Sequence, residues 1–104
     1  MTLIRRGVTL AVAVTPNRAQ RWNTVEIAVR ARRKALHGRR VWLRFDMPAM
    51  AMGVQRFRLK EGRPGVYRYQ GPAISMPGAW LLTFEIHQVQ GRVLTVAVHD
   101  HVGG

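Results

Sequence analysis

The sequence predicts an all-β fold, an immunoglobulin-like β-sandwich of about seven antiparallel strands, and three observations carry that expectation. Apolar residues alternate with polar ones along most of the chain, the period of a half-buried strand, and no segment shows a convincing helical period. The interruptions recur every 8 to 12 residues or so, the spacing of short sandwich strands, and hold turn-forming residues such as Thr15-Pro16-Asn17 and Gln90-Gly91. A length of 104 residues suits one core, so 1–104 is read as a single domain. A barrel is the second arrangement that fits the pattern. No Cys–Trp–Cys spacing exists to point to an antibody-type domain.

Taken in order, the first element is Val8 to Val14, where Val8, Leu10, Val12 and Val14 alternate with smaller residues. The opening MTLIRRGVTLAVAVTP imitates a signal peptide, but this alternation is a strand pattern. The chain is therefore read as a mature or excised part of a longer protein. Val25, Ile27 and Val29 define the second strand. Val41, Leu43, Phe45 and Met47 define the third, and Phe57 and Leu59 the fourth. After the tight reversal Glu61-Gly62-Arg63-Pro64-Gly65 comes a short strand with Tyr67 and Tyr69 on one face. Trp80, Leu82, Phe84 and Ile86 form the sixth, and Leu94, Val96 and Val98 the last.

The formal charge is +12, and 15 of the 17 basic residues are Arg. Such an excess attracts nucleic acid, anionic lipid or acidic partners, and it equally reflects an Arg-rich genome or solubilising strand faces. Cysteine is absent, which excludes disulfides, zinc-thiolate sites and thiol nucleophiles. No apolar run reaches 18 residues, the length of a spanning helix. The carboxylates Glu26, Asp46, Glu61, Glu85 and Asp100 are scattered, and no nucleophile–base or phosphate-loop arrangement accompanies them, so no catalysis is expected. Trp42, Tyr67 and Tyr69 form no stacking motif with the Arg clusters, so nucleic acid is not the expected partner.

If successive strands alternate in direction, the loops fall at two ends. A basic pole collects Arg30, Arg32, Arg33, Lys34, Arg39 and Arg40, with Arg5, Arg6, Arg63 and Arg92 nearby. The opposite pole collects Met47, Met50, Met52 and Met76 together with His99 and His101. Thioethers are soft donors that select Cu(I), and imidazole also suits copper. Met50-Ala51-Met52 puts two thioethers on one side of an extended segment, and Met76 would add a third. His99 and His101 leave one face of the last strand; the core stripe of Leu94, Val96 and Val98 sends them outward, although strand-end twist can bring them over the pole. Met47 continues the Val41–Phe45 stripe and reads as core. On residue types and spacing alone, Met50, Met52 and Met76 are equally readable as packing or loop residues. His37 and His87 fall at the basic pole and are not expected to bind metal.

The run FDMPAMAMG, then RPGVYRYQG, then ISMPGAWLLTFEI resembles the YtkA-like domain family, which is related in layout to FixH-type domains. The family pattern is a Met-Pro-x-Met-x-Met-Gly loop, a Gly-x-Tyr strand and a Met-x-Gly-x-Trp entry into a strand. It falls here on Met47-Pro48, Met50, Met52-Gly53, Gly65 with Tyr67, and Met76, Gly78 with Trp80, over roughly residues 40 to 88. The resemblance implies an extracytoplasmic domain, periplasmic or at the cell surface, associated with copper handling and part of a longer membrane-associated protein. It implies Met50, Met52 and Met76 as ligands, with Trp80 and Met47 beside them and a membrane protein or copper-receiving protein as partner. Family loops often carry a histidine inside the cluster, whereas this chain has Ala49 and Ala51. The expected function is then a non-catalytic module that holds or passes Cu(I). The alternative is a structural or interaction domain whose basic pole meets anionic lipid or a partner and whose Met loop is a hydrophobic docking patch.

Overall fold

The computed structural model describes residues 1–50 and 53–104. Along the chain the strands are β1 (Thr2–Arg5), β2 (Val8–Thr15), β3 (Asn23–Ala31), β4 (Lys34–Ala35), β5 (Arg40–Asp46), β6 (Gln55–Arg58), β7 (Lys60–Glu61), β8 (Val66–Gly71), β9 (Gly78–His87) and β10 (Val93–Val102). One sheet has the order β1-β2-β3-β8-β7, with β4 paired to the end of β3; the other has the order β10-β9-β5-β6. Every named pair is antiparallel, so the two sheets form the expected sandwich.

The period-two stripes read from the sequence are the two inner faces. Leu10, Val25, Ile27, Val29, Val41, Leu43, Phe84 and Ile86 are completely buried, as is Leu82. Each contributes about 1.5–3 kcal/mol by leaving water. Because a one-residue slip would turn a whole stripe to solvent, these stripes also fix the register. Phe45, Phe57 and Tyr69 stack at ring separations of 4.8 to 5.9 Å and close the core beside β6 and β8.

Three short strands are additions to the expected set. β1 pairs with β2 through a tight turn at Arg6-Gly7, and both turn residues have positive φ, as such hairpins require. β4 folds back on β3 through Arg32-Arg33, again with positive φ at both positions. The expected fourth strand divides: β6 pairs with β5, the buried Leu59 donates its N–H to Val41 O at 2.9 Å, and the chain then crosses to pair as β7 with β8.

Strand registers place the loops at two ends, as the alternating directions require. Thr15 pairs with Thr24, Asn23 with Gly71, Phe45 with Gln55, Asp46 with Leu81, and Gly78 with Val102. One end therefore carries 15–23, the described parts of 47–54, 71–77 and the end of β10. The opposite end carries the Arg6-Gly7 turn, 31–40, 61–65 and 88–92.

Candidate functional site

A buried amide organises the methionine end. Asn23 is 1% exposed, and its Oδ1 accepts the N–H of Asn17 at 2.8 Å and of Arg18 at 3.1 Å. Its Nδ2 donates to Arg18 O at 2.8 Å and Arg21 O at 3.1 Å. The loop thus shaped holds its neighbours: Ala19 N–H donates to Gly103 O, Gly103 N–H to Asn17 O, and Gln20 N–H to Ile74 O. Asn17 Nδ2 also reaches Asp100 Oδ1 at 2.9 Å. The 71–77 connection is pinned by buried Ala73 and Ile74, and by Tyr69 Oη accepting the Ala73 N–H at 3.0 Å. Burial raises the Tyr69 pKa, although the bond from Ala73 works against it. A methyl on Gly71 would lie 2.5 Å from the Tyr69 oxygen, so glycine is needed for this approach.

On this frame sit the methionines. Met47 is buried at 6% exposure and extends the β5 stripe inward; its methyl lies within 2.8 Å of the place a Cβ on Gly78 would take. Met76 is half-buried and packs on the core, and its carbonyl accepts the indole N–H of buried Trp80 at 2.9 Å. Trp80 therefore anchors the Met76 turn from below. Met50 closes a turn by donating its N–H to Met47 O at 2.9 Å, and its side chain is 44% exposed. Met52 lies outside the described residues.

The histidines leave from the other side of the sheet. In β10 the even-numbered residues turn inward, so His99 and His101 are exposed on the outer face, opposite Leu81 and Ala79 of β9. Met47 and Trp80 face the core instead. Among the described residues, no three histidine, aspartate or glutamate side chains gather into a metal-holding group. Met50 and Met76 are soft donors that the described part of this end offers; exposed Met1, brought back beside Val12 and Asn17 by β1, is another, while Met47 is buried.

At the basic end, Arg30, Arg32, Arg33, Lys34 and Arg40 are exposed and Arg39 is half-buried. Among the described residues none of the six has a carboxylate partner; the acidic groups pair with His37, Arg44, Arg56, Arg63 and Arg68. Two residues shape this end. Tyr67 Oη donates to Leu36 O at 2.6 Å and accepts the Arg39 N–H at 2.9 Å. Glu61 accepts from Gly65 N at 2.8 Å and Gly38 N at 3.0 Å, and pairs with His37 Nδ1 at 2.9 Å. Desolvation pushes the Glu61 pKa up, but the Gly65, His37 and Gly38 contacts outweigh it and hold the carboxyl below its ordinary range.

With this layout in place, comparison with known families adds one finding: a family model described as YtkA-like matches residues 4–85. The chain belongs to the YtkA-like family. The matched span includes both the Met47–Met50 turn and the Met76–Trp80 entry into β9, and it stops before β10, which completes the second sheet of this YtkA-like domain. Searches of curated proteins and of solved structures return no significant match. No helix among the described residues is long and apolar enough to cross a membrane.

The sequence reading did not single out Asn23, Tyr67, Tyr69 or Glu61 as organising residues. A signal existed for the first: an Asn directly before an alternating run, after a Pro-Asn turn, is a residue type that bonds neighbouring backbone. Glu61 and the tyrosines bond to backbone made adjacent only by the fold, and no local pattern announces that.

Proposed function

We propose that this YtkA-like domain is a non-catalytic copper-binding module that holds or passes Cu(I) through methionine thioethers at one end of the sandwich. The observation that supports this reading most directly is Met50, a thioether kept in solvent on a turn bonded back to Met47, at the end where Met76 is half-buried. A packing methionine is normally withdrawn from water; an exposed one beside others is suited to a soft ion. Met52, in the same loop, would complete a trigonal thioether set as the family pattern implies. The metal is cargo: neutral, exchangeable donors on a turn would release it to a receiving protein. Such a module would act outside the cytoplasm, in the periplasm or at the cell surface, as part of a membrane-associated protein. The basic end does not oppose this. β9 alone rises about 33 Å over its ten residues, several times the Debye length of about 8 Å at physiological salt.

Titration of the purified domain with Cu(I) against a competing chelator tests the reading. Met50→Ala and Met76→Ala are each expected to weaken binding about tenfold or more, equal to about 1.4 kcal/mol. Unchanged affinity in the triple variant with Met52→Ala removes the assignment. The pH profile separates the donor types, because thioethers carry no proton to lose whereas imidazoles do. Affinity unchanged on acidification fits methionine alone; affinity lost on acidification brings in His99 or His101.

A second reading is favoured by a separate observation at the opposite end. The β3–β4 turn places Arg32 and Arg33 at positive φ, a geometry Asn-Gly adopts far more readily, and leaves both guanidinium groups exposed. In this reading the domain is an interaction module whose basic end rests on anionic lipid, each cation contributing about 1 kcal/mol. Salt-sensitive vesicle binding without any Cu(I) affinity would establish it over the first.

A further inference from the structure

The crossing at Leu59 leaves the sandwich open on one side. Before the crossing β6 stays with β5, and past Arg68 β8 pairs with β3 alone, so the free edges of Gln55–Arg58 and of Tyr69 to Gly71 face each other with no strand of the described residues between them. The space they bound is a groove of about 720 Å³, within the range of specific ligand sites. Its apolar lining includes Phe57 and Tyr69, in contact at 4.8 Å, and Trp22, which is 72% exposed. Arg58, Lys60 and Arg68 add positive charge. Arg68 is paired with Glu26 at 3.3 Å, whereas Arg58 and Lys60 have no carboxylate partner among the described residues. The one acidic group in the lining, Glu61, is already satisfied by two backbone N–H groups and His37.

We propose that this groove binds an extended acidic segment of a partner polypeptide, added as a strand along the free edge of β6. Three features select this occupant. An unpaired strand edge offers backbone donors and acceptors that only another extended backbone matches in series. The aromatic lining takes apolar side chains from one face of such a strand. The unpartnered Arg58 and Lys60 take carboxylates from its alternate positions, since successive side chains of a strand point to opposite faces. No methionine is among the described lining residues, so the peptide test can be run without copper and read separately from metal binding.

The probe is a fluorescein-labelled peptide of about eight residues alternating Glu and Val, followed by fluorescence anisotropy on the full chain. Saturable binding is expected, with no binding of the matching Lys/Val peptide. Lys60→Glu and Arg58→Glu, both exposed positions, are each expected to weaken binding by about tenfold or more. Arg32→Glu makes the same charge change at a residue outside the groove lining and should leave affinity within about twofold, which separates a local site from general attraction to a basic protein. Methylating alternate backbone nitrogens of the peptide keeps its charge but removes strand hydrogen bonds, and should abolish binding. Circular dichroism of each variant confirms that it is folded. The proposal is overturned if the Glu/Val peptide does not bind, if the N-methylated peptide binds equally well, or if Arg32→Glu weakens binding as much as Lys60→Glu. Equal binding of an oligothymidylate, lost in the same variants, would overturn it in favour of nucleic acid.

Discussion

Truncating Asn23 to alanine probes the frame of the methionine end with a magnitude that the geometry supplies. Four hydrogen bonds end on this amide, two accepted from Asn17 and Arg18 and two donated to Arg18 and Arg21. Each net bond contributes about 0.5–1.5 kcal/mol, and the exposed position of Arg18 and Arg21 lets water replace part of what is lost, so a total of about 2–3 kcal/mol is expected. For a domain near 100 residues, each kcal/mol moves the melting midpoint by about 4–8 °C, so Asn23→Ala should melt roughly 10–20 °C below the parent. Thermal melts followed by circular dichroism at pH 7 measure it. Asn23→Asp sharpens the argument. One carboxylate oxygen keeps the two accepted bonds, but the other would face the carbonyls of Arg18 and Arg21. Repulsion raises that carboxyl's pKa, so the penalty relative to the parent should shrink as pH falls and the acid regains a donor. A midpoint for Asn23→Ala within about 3 °C of the parent would refute the assignment of the loop's order to this amide.

Other expectations follow from single contacts. Glu61 has a lowered pKa in the fold, so its contribution is present above its unfolded value of about 4.3 and is lost as pH falls through the folded value; Glu61→Gln should therefore flatten the acid limb of a stability–pH curve. Replacing Arg32-Arg33 by Asn-Gly relieves left-handed strain of about 1–2 kcal/mol per residue, so the melting point should rise while attraction to anionic vesicles falls. Met47→Ala removes a buried side chain and should cost about 2–5 kcal/mol, measured by urea unfolding, whereas exposed Met50→Ala should stay within about 0.5 kcal/mol of the parent.

The two sheets were legible because period-two alternation depends only on which face meets the core, and that preference is written residue by residue in Val25-Ile27-Val29 or Leu82-Phe84-Ile86. The two ends were legible as well, since antiparallel neighbours force the loops to alternate. What escaped was anything decided by a partner strand. From the sequence Lys60 reads as the polar continuation of the Phe57 strand and Glu61 as the start of the reversal, and only the presence of β8 draws them into the other sheet. β1 is an edge strand whose inner-face requirement is weak, so its sequence carries little alternation. At the methionine end, Met47 as core and Met76 at the same end followed from the stripe and the strand directions. That Trp80 would anchor Met76 through its carbonyl did not follow, because the indole partner is a backbone oxygen brought close by a turn.

The division of labour among the methionines bears on how such a site could work. Met47 is packed against the start of β9, while Met76 is half in the core and its carbonyl is tied to Trp80. These positions are fixed by contacts that also stabilise the sandwich. Met50 carries almost none of that burden, since only its backbone is bonded and its side chain is in solvent. A thioether set that spans this range would have an anchored donor and a free one, and an incoming acceptor could displace the free donor without disturbing the core. Transfer would then proceed by stepwise ligand exchange from the Met50 side, with the fold unchanged. A rigid set of three buried thioethers would instead have to open against several kcal/mol of packing before releasing its ion. If this end binds Cu(I) as proposed, the exposure of Met50 suits delivery better than storage.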